Sequence, residues 1–171
     1  MAFDPANWTY VLVTSTMYGH WLPGDSRGYV GEHNIYDTPY DSPSEPLHQF
    51  AKESMKESTV LFTQDHAETV LECWQNLINE LEGWLIAVAI MSSHFHFVAV
   101  LRGKVTKATI LRFFKGRAAW VLNQRFGKRT WWTKSGSVRY CFDEKAFHAR
   151  IKYVKKQNHP LVLWVNPEFE T

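Results

Sequence analysis

The chain has 171 residues, 45% of them hydrophobic and 15% aromatic, which suits one packed domain and excludes a largely disordered chain. No run approaches the ~20 apolar residues of a membrane span, the first residues lack the basic-then-apolar pattern of a secretory signal, and two unpatterned cysteines, Cys73 and Cys141, suit a reducing cytoplasm. The net charge of +2 hides a division: residues 1–90 carry three basic and 13 acidic side chains, residues 91–171 carry 16 basic and four acidic. Such a split fits a polyanion on one side of the molecule, or charge complementarity within it.

Trp8 to Tyr18, rich in β-branched and aromatic residues, predicts a first strand. Residues 19–46, where Gly, Pro, Asp and Ser recur, predict a long irregular loop, which in a compact domain is either functional or poorly ordered. A short helix is expected over Pro46–Ser58 and a minor strand over Thr59–Phe62. Between Asp65 and Leu81, the apolar residues Val70, Leu71, Trp74, Leu77, Ile78 and Leu81 recur at helical spacing, and Gly83 closes that helix. Trp84–Met91 reads as a buried strand, Ser92-Ser93 as a tight turn and His94–Leu101 as the hairpin partner. Thr106–Phe126 is a second long helix, with Ile110, Leu111, Phe114, Ala118, Val121 and Leu122 on its apolar side. Thr130–Cys141 gives a loop and a short strand, and Asp143 caps a further helix running to about Gln157, with Pro160 just beyond. The order β-α-β-β-α-β-α predicts an α+β fold: a ferredoxin-like (RRM-like) antiparallel sheet with helices on one face and an added C-terminal helix, in a single domain over 1–171.

Two histidines, His94 and His96, stand at i and i+2 of the second hairpin strand, so both project to one face, about 7 Å apart at ~3.3 Å per residue. Read from spacing alone, the pair fits a metal site or two separately satisfied buried imidazoles. On the last helix, Tyr153 and Gln157 lie at i and i+4 and share a face, while Phe147, Ile151 and Val154 mark a different, core-facing stripe. Taken alone, that pair is equally a surface tyrosine beside a surface glutamine.

The run Ile90-Met91-Ser92-Ser93-His94-Phe95-His96-Phe97-Val98 resembles the His-hydrophobic-His motif of the HUH endonucleases, in their single-tyrosine transposase branch. Ile151-Lys152-Tyr153-Val154-Lys155-Lys156-Gln157 resembles the nucleophile helix of that branch. The runs Trp21-Leu22-Pro23-Gly24-Asp25-Ser26-Arg27-Gly28 and Trp131-Trp132-Thr133-Lys134-Ser135-Gly136-Ser137 are similar to segments of REP-associated tyrosine transposases, and the likeness extends over roughly residues 8 to 162. Two departures bear on the subfamily: Ser92-Ser93 replaces a Pro-Asn, and Asn158-His159-Pro160-Leu161 lacks the Asn-Pro followed by Ala-Gly of many REP-associated members.

The resemblance implies a DNA nicking and joining enzyme in which Tyr153 forms a 5′-phosphotyrosine link and His94, His96 and Gln157 hold a divalent ion. Two nitrogens and an amide oxygen suit Mn²⁺ at least as well as Mg²⁺, and the family allows either. The implied substrate is single-stranded DNA with a hairpin beside the cut, and because relatives occur as monomers and as dimers, a homodimer is open. Phosphates are expected to meet Lys104, Lys107, Arg112, Lys115, Arg117, Arg125, Lys128 and Arg129, while Trp131 and Trp132 either stack on unpaired bases or pack in the core. Two competing readings remain: a non-catalytic single-stranded nucleic-acid-binding module on an RRM-like sheet, and a metal-dependent hydrolase of small phosphoesters that does not need Tyr153.

Overall fold

The computed structural model describes residues 2–28 and 40–169. Of the irregular loop expected over 19–46, residues 29–39 therefore lie outside the described residues. The elements are β1 (Trp8–Thr16), α1 (Glu45–Glu53), α2 (Gln64–Glu80), β2 (Trp84–Ile90), β3 (His94–Arg102), α3 (Lys107–Phe126), β4 (Ser137–Tyr140), α4 (Glu144–Lys155) and β5 (Val162–Val165), followed by a 3-10 turn at Pro167–Phe169. They build one antiparallel five-stranded sheet of order β4-β1-β3-β2-β5. Its β4-β1-β3-β2 portion, with α2 and α3 in the crossovers, is the ferredoxin-like plan. Among the described residues no helix is long and apolar enough to cross a membrane.

β1 and β3 form the spine, paired without interruption from Trp8 opposite Arg102 to Thr16 opposite His94. Strand alternation then sorts their side chains onto two faces. One face presents Val11, Val13, Phe95, Phe97 and Ala99 to α2 and α3, where Trp74, Leu77, Ile110 and Phe114 complete the core. The other presents Tyr10, Leu12, Val98 and Val100 to Phe147, Ile151 and Val154 of α4. A register shift between Leu85 and Ala87 of β2 puts Ile86 and Ala87 together on the α4 face. The added C-terminal helix thus lies across the sheet from α2 and α3.

Local chemistry fixes the helix ends. Thr63 accepts from the His66 N–H while His66 Nδ1 accepts from the Thr63 N–H, a reciprocal cap that starts α2. Thr106 caps α3 through Thr109, and the Asp143 carboxylate accepts from the Ala146 N–H at 2.7 Å to start α4. At the end of α2, Glu82 rather than Gly83 takes the left-handed conformation, with φ of 50°. Gly83 is needed instead for room: a Cβ there would sit 2.5 Å from the Val100 carbonyl oxygen.

Two segments differ from expectation. Thr59–Phe62 is not a strand, although Val60 N–H donates to the Tyr18 carbonyl and Phe62 N–H to the Ser92 carbonyl. These bonds pull Val60 and Phe62 into the core at the sheet's end. β5, unanticipated, follows a turn in which His159 has φ of 50°, and it pairs along the outer side of β2. α4 itself ends at Lys155, with Gln157 just past the helix.

Candidate active site

The face that holds Val98 and Val100 also holds His94 and His96, because all four share one strand parity. Both imidazoles therefore lie on the α4 side, with ring centroids 5.1 Å apart. The α4 stripe of Phe147, Ile151 and Val154 packs on the sheet and brings Tyr153 to the same place. Its ring meets that of His96 edge to face at 5.1 Å between centroids, while 45% of the residue stays exposed.

Each imidazole is held through the same nitrogen. His96 Nδ1 lies 2.7 Å from Thr14 Oγ1, which comes from the residue opposite it on β1, and His94 Nδ1 lies 2.9 Å from Ser93 Oγ in the turn. A neutral imidazole that donates from Nδ1 to a hydroxyl oxygen keeps its lone pair on Nε2, the arrangement that orients histidines for metal ligation. Burial, then the neighbouring His94, pushes the His96 imidazole down to about 4. Burial also lowers His94, with His20 and Arg27 adding positive charge nearby. Both rings are thus held in the neutral, ligand-competent form near pH 7. Neither Thr14 nor Ser93 stands out in the sequence; the β1–β3 register identifies Thr14, and adjacency to His94 identifies Ser93.

Gln157 sits one turn beyond Tyr153, where its Nε2 donates to the Tyr153 carbonyl at 3.1 Å. The amide oxygen is then its atom suited to a cation. Among the described residues no group of three or more His, Cys, Asp and Glu side chains could hold a metal, so an ion here would take two histidines and oxygen donors of other kinds. The donor set suits a divalent ion with open positions: two neutral imidazoles whose Nδ1 atoms are engaged by hydroxyls, and the amide oxygen of Gln157 one turn beyond Tyr153.

The structure redraws the expected DNA-contact set. Lys115 is 8% exposed and cannot meet a phosphate; its ammonium is bonded to Ser15 Oγ and to the carbonyls of Thr133 and Ser135. Burial pushes it down to about 8, although three oxygen acceptors favour the charged form. Trp131 and Trp132 are 3% and 8% exposed, with their indole N–H groups bonded to Asn123 Oδ1 and the Lys115 carbonyl. They are core residues and offer no face to a base. Arg117 forks onto the Glu80 carboxylate of α2, Arg125 bonds Thr69 Oγ1, and Arg129 bonds the Ser58 carbonyl beside Glu57. Along with Arg112, which lies over Phe113, Arg117 and Arg125 belong to α3, in the layer across the sheet from the histidines. Lys104, Lys107 and Lys128 are exposed. In the site's own layer, Lys145, Lys152, Lys155 and Lys156 are exposed, and the last three are within three residues of Tyr153. Their nearness to Tyr153 in sequence was the available signal.

The Trp21–Gly28 run forms a tight turn beside this end of the sheet. The Asp25 carboxylate accepts from the Arg27 backbone N–H, Nε and Nη2, and the Trp21 indole donates to the Gly28 carbonyl. Hydrogen bonding from Arg27 holds the Asp25 carboxyl well below the usual carboxylate range.

Residues 54–157 match the family model described as "Transposase IS200 like", which covers more than half of the chain. The chain therefore belongs to the family of IS200-like transposases, a class of enzymes that act on DNA. Among solved structures it is similar to a REP-associated tyrosine transposase bound to a REP hairpin, with 9% identity and a TM-score of 0.48 over 91% of this chain and 68% of that one. No curated protein matches it.

Proposed function

We propose that the chain is a metal-dependent single-stranded DNA endonuclease and strand transferase that acts through a 5′-phosphotyrosine intermediate at Tyr153. The observation that carries this reading is the meeting of Tyr153 with His96 on one face, beside a second histidine held through the same nitrogen. The Tyr153 oxygen attacks phosphorus, the bond from phosphorus to the 3′ oxygen breaks, and that oxygen leaves as a 3′-hydroxyl. The phenol proton passes to solvent, which reaches the half-exposed ring. Because the phosphotyrosine conserves the ester bond, a second 3′-hydroxyl can displace it without a nucleotide cofactor. His94, His96 and Gln157 would hold Mg²⁺ or Mn²⁺, which when bound polarises the scissile phosphate and offsets the charge that develops there. With Thr14 and Ser93 accepting from Nδ1, both imidazoles would present the Nε2 lone pair to the ion. Lys152, Lys155 and Lys156 draw the phosphate chain to this face, and two free, buried cysteines suit work in a reducing cytoplasm.

The alternative of an RRM-like binding module needs aromatics presented by the sheet. Phe95 and Phe97 are instead fully buried beneath α2 and α3, and α4 covers the other face. The test is a labelled hairpin DNA with a single-stranded flank, incubated with Mn²⁺ and resolved under denaturing conditions. A covalent protein–DNA adduct is expected from the unaltered chain and none from Tyr153→Phe. Cleavage that persists in Tyr153→Phe overturns the assignment.

A further inference from the structure

A groove of about 390 Å³ opens at the opposite end of the strands from His94, between the start of β1, the β3–α3 junction and the β4–α4 junction. The nicking chemistry makes no use of it. Phe142 on its wall is 79% exposed, an unusual cost for a ring of that size unless something covers it. The Phe142 ring lies nearly parallel to Tyr140, with an interplanar angle of 25°. Tyr140 is itself held in place: its hydroxyl donates to the Val105 carbonyl at 3.0 Å. Phe142 thus stands beside a fixed ring, 6.4 Å away between centroids, with most of its own surface open.

The rim of this groove is cationic. Lys104 and Lys107 line the groove and are exposed, and no carboxylate lines it. The 20-residue α3 begins here without an acidic residue in its first turn, so its dipole adds to the positive field. The neighbouring Asp143 carboxylate is taken up in capping α4. An apolar peptide on this surface would leave the two lysines uncompensated, and a free anion would leave the aromatic face bare. A nucleotide satisfies both.

We infer that this groove is a second DNA contact, in which an unpaired base stacks on Phe142 while the flanking phosphates meet Lys104 and Lys107. This rests on the reading of the chain as an enzyme of single-stranded DNA. The Cys141 N–H bonds the Tyr10 carbonyl, and Thr16 lies opposite His94. Six residues of β1 thus separate the two contacts, roughly 20 Å at ~3.3 Å per residue. A stacked strand rises ~3.4 Å per nucleotide, so about six nucleotides join them.

The full chain is titrated by fluorescence anisotropy with labelled oligothymidylates, one shorter than this span and one well beyond it. Phe142→Ala is expected to weaken binding of the long probe about tenfold, the loss of one base–aromatic stack, and to leave the short probe unchanged. Phe142→Trp should restore the long-probe affinity, and Lys104→Gln with Lys107→Gln should reduce its salt dependence. With iodouracil in the long probe, photocrosslinks should fall on the peptide that contains Tyr140 and Phe142. Equal losses on both probes, no loss on either, or no binding at all overturns the groove assignment. Adduct formation at Tyr153 is scored separately: its absence, with length-dependent binding through Phe142 intact, defeats the nicking reading and not the groove.

Discussion

On the α2/α3 side of the sheet, β3 presents Phe95 and Phe97 to Trp74 and Phe114, ring against ring, with every one of these side chains out of solvent. On the α4 side, the alternate residues of that same strand are His94 and His96, the second met by a half-exposed tyrosine. One strand thus supplies an apolar anchor and a polar site, separated only by side-chain parity. The anchor explains how two imidazoles can be held still at a sheet's end: Phe95 lies between them in sequence, locked beneath the opposite layer. The two faces also divide the charge. Arg117 and Arg125 of α3 are tied to Glu80 and Thr69 as parts of the helix layer, whereas Lys152, Lys155 and Lys156 are exposed beside Tyr153 at the end of α4.

Substitutions can break this division of labour. Phe97→Ala should cost ~3–5 kcal/mol of stability by opening a cavity among Trp74 and Phe114, read by denaturant unfolding. A loss no greater than that of a surface substitution would deny the anchor role. Thr14→Val keeps the shape of β1 but removes the partner of His96 Nδ1. It should reduce Mn²⁺ affinity about 10–100-fold in calorimetric titration, with a melting temperature lowered only by the ~1–3 kcal/mol cost of one unpaired buried nitrogen. Unaltered affinity would show that the imidazole needs no such support. Replacing Lys152, Lys155 and Lys156 by Gln should flatten the dependence of log affinity on log salt by about 2 for single-stranded DNA, at ~0.7 per phosphate contact. Arg117→Gln with Arg125→Gln should leave it nearly unchanged. The reverse pattern would move the DNA to the α3 layer.

Local periodicity put His94 and His96 on one face of a strand and kept Tyr153 out of the core stripe of its helix. The link between the two came from the resemblance of both runs to transposase motifs; the fold brings Tyr153 against His96. Periodicity tells which residues share a face and leaves open which layer covers it. For that reason the basic decoration of α3 suggested a DNA surface that the fold turns away from the site. Lys115 follows Phe114 in the buried stripe, and its three acceptors come from Ser15, Thr133 and Ser135, distant in sequence. No window around position 115 reveals them. Trp131 and Trp132 were ambiguous for the same reason, since indole partners on α3 decide their burial. β5 was open to detection, as Leu161–Val165 is an apolar run between Pro160 and Pro167, but its pairing with β2 is a tertiary fact.

The buried Lys115 ammonium has a consequence for the alkaline range. Its amine gives up a proton at about 8 in the folded chain, while the unfolded chain keeps it to the ordinary 10.5. Between those values the unfolded state binds more protons, so this group's contribution to stability grows as pH rises. Hydrogen counting shows how the connection survives. A neutral amine still has two hydrogens for the Thr133 and Ser135 carbonyls, and its new lone pair faces Ser15 Oγ, whose hydrogen now points to the Ser135 carbonyl. One hydroxyl rotation re-satisfies every partner. The tie between β1 and the 131–135 run, which seats Thr133 against Thr16 across from His94, is thus built to outlast its own charge.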